Sequence, residues 1–284
     1  MKNLTTILWA VLAFSFTIVS CVGGEADDQV EVGREVMDEL EIETAGALAI
    51  RCNGEDFVRS GFVSVDGWNI TFRHLYVTIT DISVYQTDPP YDPHSTEEIS
   101  GDVQVDLDGI FTMDLALGDQ QAETILIGVM DSVPAGHYNA MSWNMVPALE
   151  GPSEGYTIYI DAQAEKGDES YSVYLGIENS YTYFAGEFVG DVRKGFVTAE
   201  EPGELEMTFH FDHIFGDFHQ PSDSDLNMMA VGFEPFAEMM EEGTVSENLT
   251  SLREKLSEEI YFKLMDAFST LGHTGEGHCY CIVR

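Results

Sequence analysis

From Trp68 to Phe211, segment after segment carries apolar residues at every second position, separated by turn signals and not by helical stretches. Trp68-Ile70-Phe72 alternates with Asn69-Thr71-Arg73, and the run continues through Leu75, Val77, Ile79, Ile82 and Val84 with a phase change near His74 that predicts a bulge. Asp66-Gly67 is a hairpin signal, and Phe57 to Ser64 reads as the strand before it. Val103-Val105-Leu107, Ile110 to Leu117, Thr124 to Met130, His137 to Val146, Tyr156-Ile158-Ile160, Tyr171-Val173-Leu175, Tyr181-Tyr183-Ala185 and Leu205-Met207-Phe209-Phe211 follow. The loop from 86 to 101, with Asp88-Pro89-Pro90 and Asp92-Pro93-His94, interrupts them. About ten short strands without intervening helices predict an all-β fold, an antiparallel β-sandwich.

Past Gly216 the period changes. Glu234 to Glu241 reads as a short helix. Leu249, Leu252, Leu256, Ile260, Leu264, Phe268 and Leu271 then form one apolar stripe, predicting a helix of about six turns with Ser251 and Glu254 as a capping box and Gly272 as its C′ residue. A single stripe needs one surface to lie on, so this C-terminal α-helix is expected to cap the sandwich and bring the tail back to the sheet.

The chain opens Met1-Lys2-Asn3, continues through an apolar segment and reaches Ile18-Val19-Ser20-Cys21. This junction resembles the lipobox of bacterial lipoproteins. The resemblance implies a signal peptide over 1–20, a lipidated Cys21 as the first mature residue, and export to the cell envelope. Val22 in place of an aspartate implies the outer membrane and not retention at the inner one. Residues 21–45 read as an acidic tether and 46–284 as the β-sandwich domain with its helix and tail. The turn Pro134-Ala135-Gly136-His137-Tyr138 ahead of a strand is similar to one that recurs in uncharacterised β-sandwich surface lipoproteins, which supports the fold alone.

A net charge of −39 would repel nucleic acid and anionic membrane surfaces, so the expected membrane contact is the lipid anchor alone. Cations are not disfavoured. Of the four cysteines, Cys21 is assigned to lipid, leaving Cys52, Cys279 and Cys281 in a compartment where disulfides persist. A bridge from Cys52 to Cys279 or Cys281 is the expected pairing, with the third sulfur free.

Chemistry concentrates in two places. The tail from Gly272 to Cys281 holds His273, Glu276, His278, Cys279 and Cys281, with glycines that let neighbouring donors turn toward one ion. The second cluster is His210, Asp212 and His213 at the end of the last strand, where period two would set His210 and Asp212 side by side. The sharp expectation is that both clusters meet. His210, His213, His273 and His278 would then hold one transition metal, with Asp212, Glu276 or Cys279 as further ligand or support. Mixed imidazole, carboxylate and thiolate sets suit Zn²⁺ first; the histidines and methionines make Cu⁺ or Cu²⁺ second. Calcium ranks lower, at Asp223, Asp225, Asn227 and Glu234, which mimic a calcium loop with Met228 where glycine belongs, or at Asp102, Asp106 and Asp108.

His74, His94, His137 and His219 have no partners evident in sequence. Gly151-Pro152-Ser153-Glu154-Gly155 sits between two strands and reads as a loop, not a nucleophile elbow. The expected function is metal capture, delivery or structural metal binding at the envelope, without catalysis. Catalysis would need a vacant metal position beside a concave pocket and a stray carboxylate. The alternative is a glycan- or protein-binding surface lipoprotein, for which an exposed aromatic row on the sheet would be the sign.

Overall fold

The computed structural model describes residues 45–186, 194–275 and 277–284. Cys21, the expected signal and tether up to residue 44, and Glu276 lie outside these. Strand β1 (Ala45–Asn53) is followed by α1 (Asp56–Ser60), β2 (Phe62–Val63) and an 18-residue strand, β3 (Asn69–Gln86). Then come β4 (Val103–Asp114), β5 (Ile125–Pro134), β6 (Gly136–His137), β7 (Ala140–Met145), β8 (Ile158–Lys166), β9 (Glu169–Ile177), β10 (Tyr181–Ala185), β11 (Phe196–Val197) and β12 (Gly203–Phe209). The C-terminal third holds α2 (Asp212–Phe215), α3 (Asp225–Met229), α4 (Glu234–Ala237), β13 (Thr244–Asn248), α5 (Leu249–Lys255), α6 (Glu258–Ser269), β14 (Gly272–His273) and β15 (Cys279–Val283).

The fold is mostly β, as expected, but its sheets are mixed. One sheet runs β14-β12-β1-β5; the larger runs β13-β9-β8-β3-β7-β10-β15, with β2 and β4 also on β3; β11 and β6 form a small pair. Strand β3 is long enough for β8 and then β7 to occupy one edge while β2 and β4 occupy the other. Its alternation shifts between Phe72 and His74, where the sequence changes phase. The expectation of wholly antiparallel pairing fails at β1/β12 and β9/β13, which are parallel. Parallel neighbours need a long connection, and long stretches of chain separate both pairs.

Both larger sheets contribute to one apolar core. Leu48, Ile50 and Phe209 come from the smaller sheet, Leu75, Val77, Trp143 and Tyr183 from the larger, and Leu252, Leu264 and Phe268 from the helices. Burial of this aromatic-rich set is the main stabilising term, roughly 25 cal/mol per Å² of apolar surface removed from water.

Three local expectations are corrected. Phe57 to Ser64 is helix α1 and then β2, because Asp56 in the first turn and Arg59 in the last complement the helix dipole, and Gly61 at φ 77° ends it. The six-turn helix is two helices. Asn248 and Ser251 form the capping box of α5, Leu256 turns extended at ψ 150°, and the Ser257 side chain accepts from Ile260 N–H to start α6. Gly272 is not a C′ residue but part of β14, pairing with Phe209.

The disulfide expectation also fails, since Cys52, Cys279 and Cys281 are all free. Cys52 lies in β1 between Met207 and Ile125, whereas Cys279 and Cys281 pair with β10 in the other sheet. No helix of the described residues is long and apolar enough to cross a membrane.

Candidate metal centre

Strand β12 stops at Phe209. One further ladder bond, from His210 N–H to the Leu271 carbonyl at 2.9 Å, carries the chain to His210, and a helical turn follows in which His213 N–H donates to the His210 carbonyl at 3.2 Å. A three-residue step around such a turn puts two side chains on one side. His210 and His213 therefore come together as neighbours on a turn, not through strand periodicity, and Asp212 does not join them. The third imidazole arrives from β14, whose antiparallel register sets His273 opposite Thr208. Gly272 makes this approach possible: a Cβ there would stand 2.8 Å from the Tyr183 ring and 2.9 Å from the Trp143 ring.

One nitrogen each from His210, His213 and His273 lies within 4.8 Å of the other two. Ligands about 2.0 Å from a tetrahedral ion stand roughly 3.3 Å apart, so small side-chain rotations would close the set. Ring centroids are 4.2 Å apart for His210 and His273, 5.1 Å for His213 and His273, and 5.6 Å for His210 and His213.

Hydrogen bonds fix which nitrogens are free. His273 Nε2 is 2.9 Å from the Thr270 carbonyl, which can only accept, so Nε2 carries the proton. Thr270 Oγ1 donates to the Ala267 carbonyl at 3.1 Å, so it accepts from His213 Nδ1 at 3.0 Å. His210 donates to the backbone carbonyl of Gly275. The lone pairs left are those of His210 Nε2, His213 Nε2 and His273 Nδ1. The first and last are buried without a hydrogen-bond partner among the described residues. Each histidine thus has one nitrogen anchored by a protein oxygen and one left to a ligand, the pattern that orients imidazoles on metals.

Burial holds the imidazoles neutral. It lowers His210 and His213 to about 4 and His273 to about 3, the neighbouring rings adding to the effect for the latter two. At neutral pH no proton need leave before a cation binds.

Glu55 was not foreseen. Its Oε1 is 3.5 Å from His210 Nε2, long for a hydrogen bond and close to the spacing of two ligands on one ion. Its backbone has φ 70° and ψ 163°, a conformation that costs of order 1–3 kcal/mol for a residue with a side chain. No sequence pattern marks this residue.

The remaining expected ligands sit outside the group of three. The His278 ring is 5.9 Å from that of His273 and 6.1 Å from that of His94, so His94, without partner in the sequence, has one in the fold. Cys279 opens β15, and burial pushes its thiol well above the ordinary range, so it stays protonated in the metal-free fold. Glu276 lies outside the described residues.

A cavity of about 510 Å³ abuts the histidines, with His213, His273 and His278 on one wall and Met228, Met229 and Ala267 among the others. It lies between α3, α6 and the tail.

The calcium loop does not assemble. The Asn227 side chain accepts from Asp217 N–H at 2.8 Å and donates to the carbonyls of Asp217, Gln220 and Pro221, while Glu234 accepts from Trp68 Nε1–H and from Lys166. Asp102, Asp106 and Asp108 are exposed, and Asp106 accepts from Ser83 and Gln104.

On the outward face of the larger sheet, Tyr76 lies across from Tyr159 in the ladder, and Tyr159 stacks on Tyr156 at 5.5 Å between centroids. His74 stacks on Tyr76 at 5.5 Å, and the Arg73 guanidinium sits over Tyr174.

Compared with known protein families, curated proteins and solved structures, the chain matches none.

Proposed function

We propose that the protein binds a transition metal ion at His210, His213 and His273, zinc first and copper second, as an exported protein held at the bacterial outer membrane by lipid on Cys21. The observation that carries this is the set of three neutral imidazoles, each anchored through one nitrogen, with two free nitrogens buried. Leaving such nitrogens without a partner costs about 1–3 kcal/mol each unless something binds them. Glu55 supplies a fourth donor on the His210 side. In this reading the sheets are the faces of an antiparallel-dominated sandwich and the C-terminal helices its cap. The protein's role is capture or delivery of the ion rather than catalysis.

Chelator-competition titration of the metal-free protein tests the reading. Replacing any one of His210, His213 or His273 by alanine should weaken zinc binding by about 100-fold or more, since a metal ligand is lost outright. Unchanged affinity in folded variants would refute it.

The cavity beside His213 and His273 gives a second reading, in which an ion held there would supply an activated water for hydrolysis. Zinc-dependent turnover of an activated ester, lost in His273→Ala, would establish this reading over simple binding. A third possibility rests on Tyr76, Tyr159 and Tyr156, an aromatic row suited to stacking on sugar rings. Glycan-array binding lost in Tyr159→Ala, with zinc affinity intact, would favour it.

A further inference from the structure

We infer that the metal centre takes a small organic carboxylate with an apolar body, the carboxylate on the ion and the body in the adjoining cavity. The inference rests on the metal reading above. Glu55 approaches the centre beside His210, which does not line the cavity, whereas His213 and His273 do. An ion held by the three histidines would therefore be reached from the cavity, on the side of His213 and His273 and away from Glu55. Its volume, about 510 Å³, falls in the range of sites that enclose a small molecule.

The chemistry of the walls selects the ligand. Leu226, Met228 and Met229 of α3 line the cavity together with Ala267 of α6 and Thr270 just past that helix, an apolar slot whose methionines adapt to a range of shapes. Met228 and Met229 are 56% and 54% exposed, so they form a lip open to solvent. The head of the ligand meets positive charge. Imidazole ligands bring no charge of their own to a dication, the nearest carboxylate beside them is that of Glu55, and Lys263 at the same cavity has no ion-pair partner among the described residues. In a chain with 12 basic and 51 acidic residues, Lys263 is the cation this cavity offers to a carboxylate. Asp225 and Asp266 also line the cavity and set a limit: they disfavour a second negative charge, so a monocarboxylate fits better than a dicarboxylate.

The test is calorimetric titration of the zinc-loaded full chain with acetate, butyrate, hexanoate and octanoate, with 1-octanol as a body lacking the head. Each added methylene buries about 0.8 kcal/mol, so affinity should rise roughly fourfold per CH₂ from butyrate upward. Removing zinc should weaken octanoate at least tenfold, and octanol should bind no better than octanoate does to the zinc-free protein. Lys263→Glu and Met229→Glu, at partly or largely exposed positions that leave the core intact, should each weaken octanoate at least fivefold while zinc is retained. If zinc binds stoichiometrically but octanoate binds no better than acetate, or as well without zinc as with it, or equally in both variants, this inference falls and the metal reading stands. If zinc itself does not bind, both fall.

Discussion

His210 and His273 face each other with ring centroids 4.2 Å apart, and a short ladder sets that distance: Thr208 opposite His273, Phe209 opposite Gly272, and His210 N–H on the Leu271 carbonyl. The centre is thus built on a strand end, where backbone positions are held by sheet pairing, and not on a free tail. Thr270 completes it from the end of α6 by anchoring His273 through its carbonyl and His213 through its hydroxyl.

Thr270→Val removes the hydroxyl that orients His213 and keeps the carbonyl that orients His273. Zinc affinity should fall by about 10–100-fold, the usual effect of losing a ligand's supporting hydrogen bond, with little change in melting temperature. Competition with a chromophoric chelator measures it.

Glu55→Gly separates stability from binding. Glycine takes φ 70° without strain, so the metal-free variant should be as stable as the parent or more so by up to about 1 kcal/mol. Zinc should bind at least tenfold more weakly. Urea unfolding and zinc titration on the same sample give both values; equal zinc affinity would remove Glu55 from the centre.

Gly272→Ala pushes a methyl group against the Tyr183 and Trp143 rings. The expected loss is about 1–3 kcal/mol of stability, the range for overpacking a core. Because the strain falls on β14, zinc affinity should fall with it.

The metal-free protein should weaken in mild acid. An unfolded imidazole titrates near 6.5, whereas burial lowers His210 and His213 to about 4 and His273 to about 3. The unfolded chain therefore binds more protons below pH 6.5, so this contribution is fully present above 6.5 and is lost as pH falls toward 4 and then 3. Urea midpoints of the metal-free proteins between pH 7.5 and 4.5 should drop more steeply for the parent than for His213→Gln. Equal slopes in the metal-free proteins would show that burial does not hold these rings neutral.

Much of the β architecture is legible in the sequence because period two is a strong signal where one strand face is buried. The change of phase at His74 even marks the register shift beside Phe72. The break at Ser257 is hidden because the apolar stripe continues across it, and only the cap formed by the Ser257 side chain reveals a second helix start. His210, His213 and His273 are recognisable by residue type, and they do meet. Their local geometry is not legible, since whether the chain turns after Phe209 depends on the bond from His210 to Leu271, a tertiary contact. Glu55 and His94 are invisible for the same reason: each reaches its histidine from a remote segment. Cys52 shows the opposite error, because counting sulfurs in an expected oxidising compartment ignores that two different sheets hold them.

Metal-edge X-ray absorption on the protein loaded with one equivalent of zinc tests the central claim most directly. The expected result is a shell of nitrogen and oxygen neighbours near 2.0 Å, about three of them imidazoles by their outer-shell scattering, lost in His210→Ala/His273→Ala. A sulfur shell near 2.3 Å, or the same spectrum from the double variant, would contradict it.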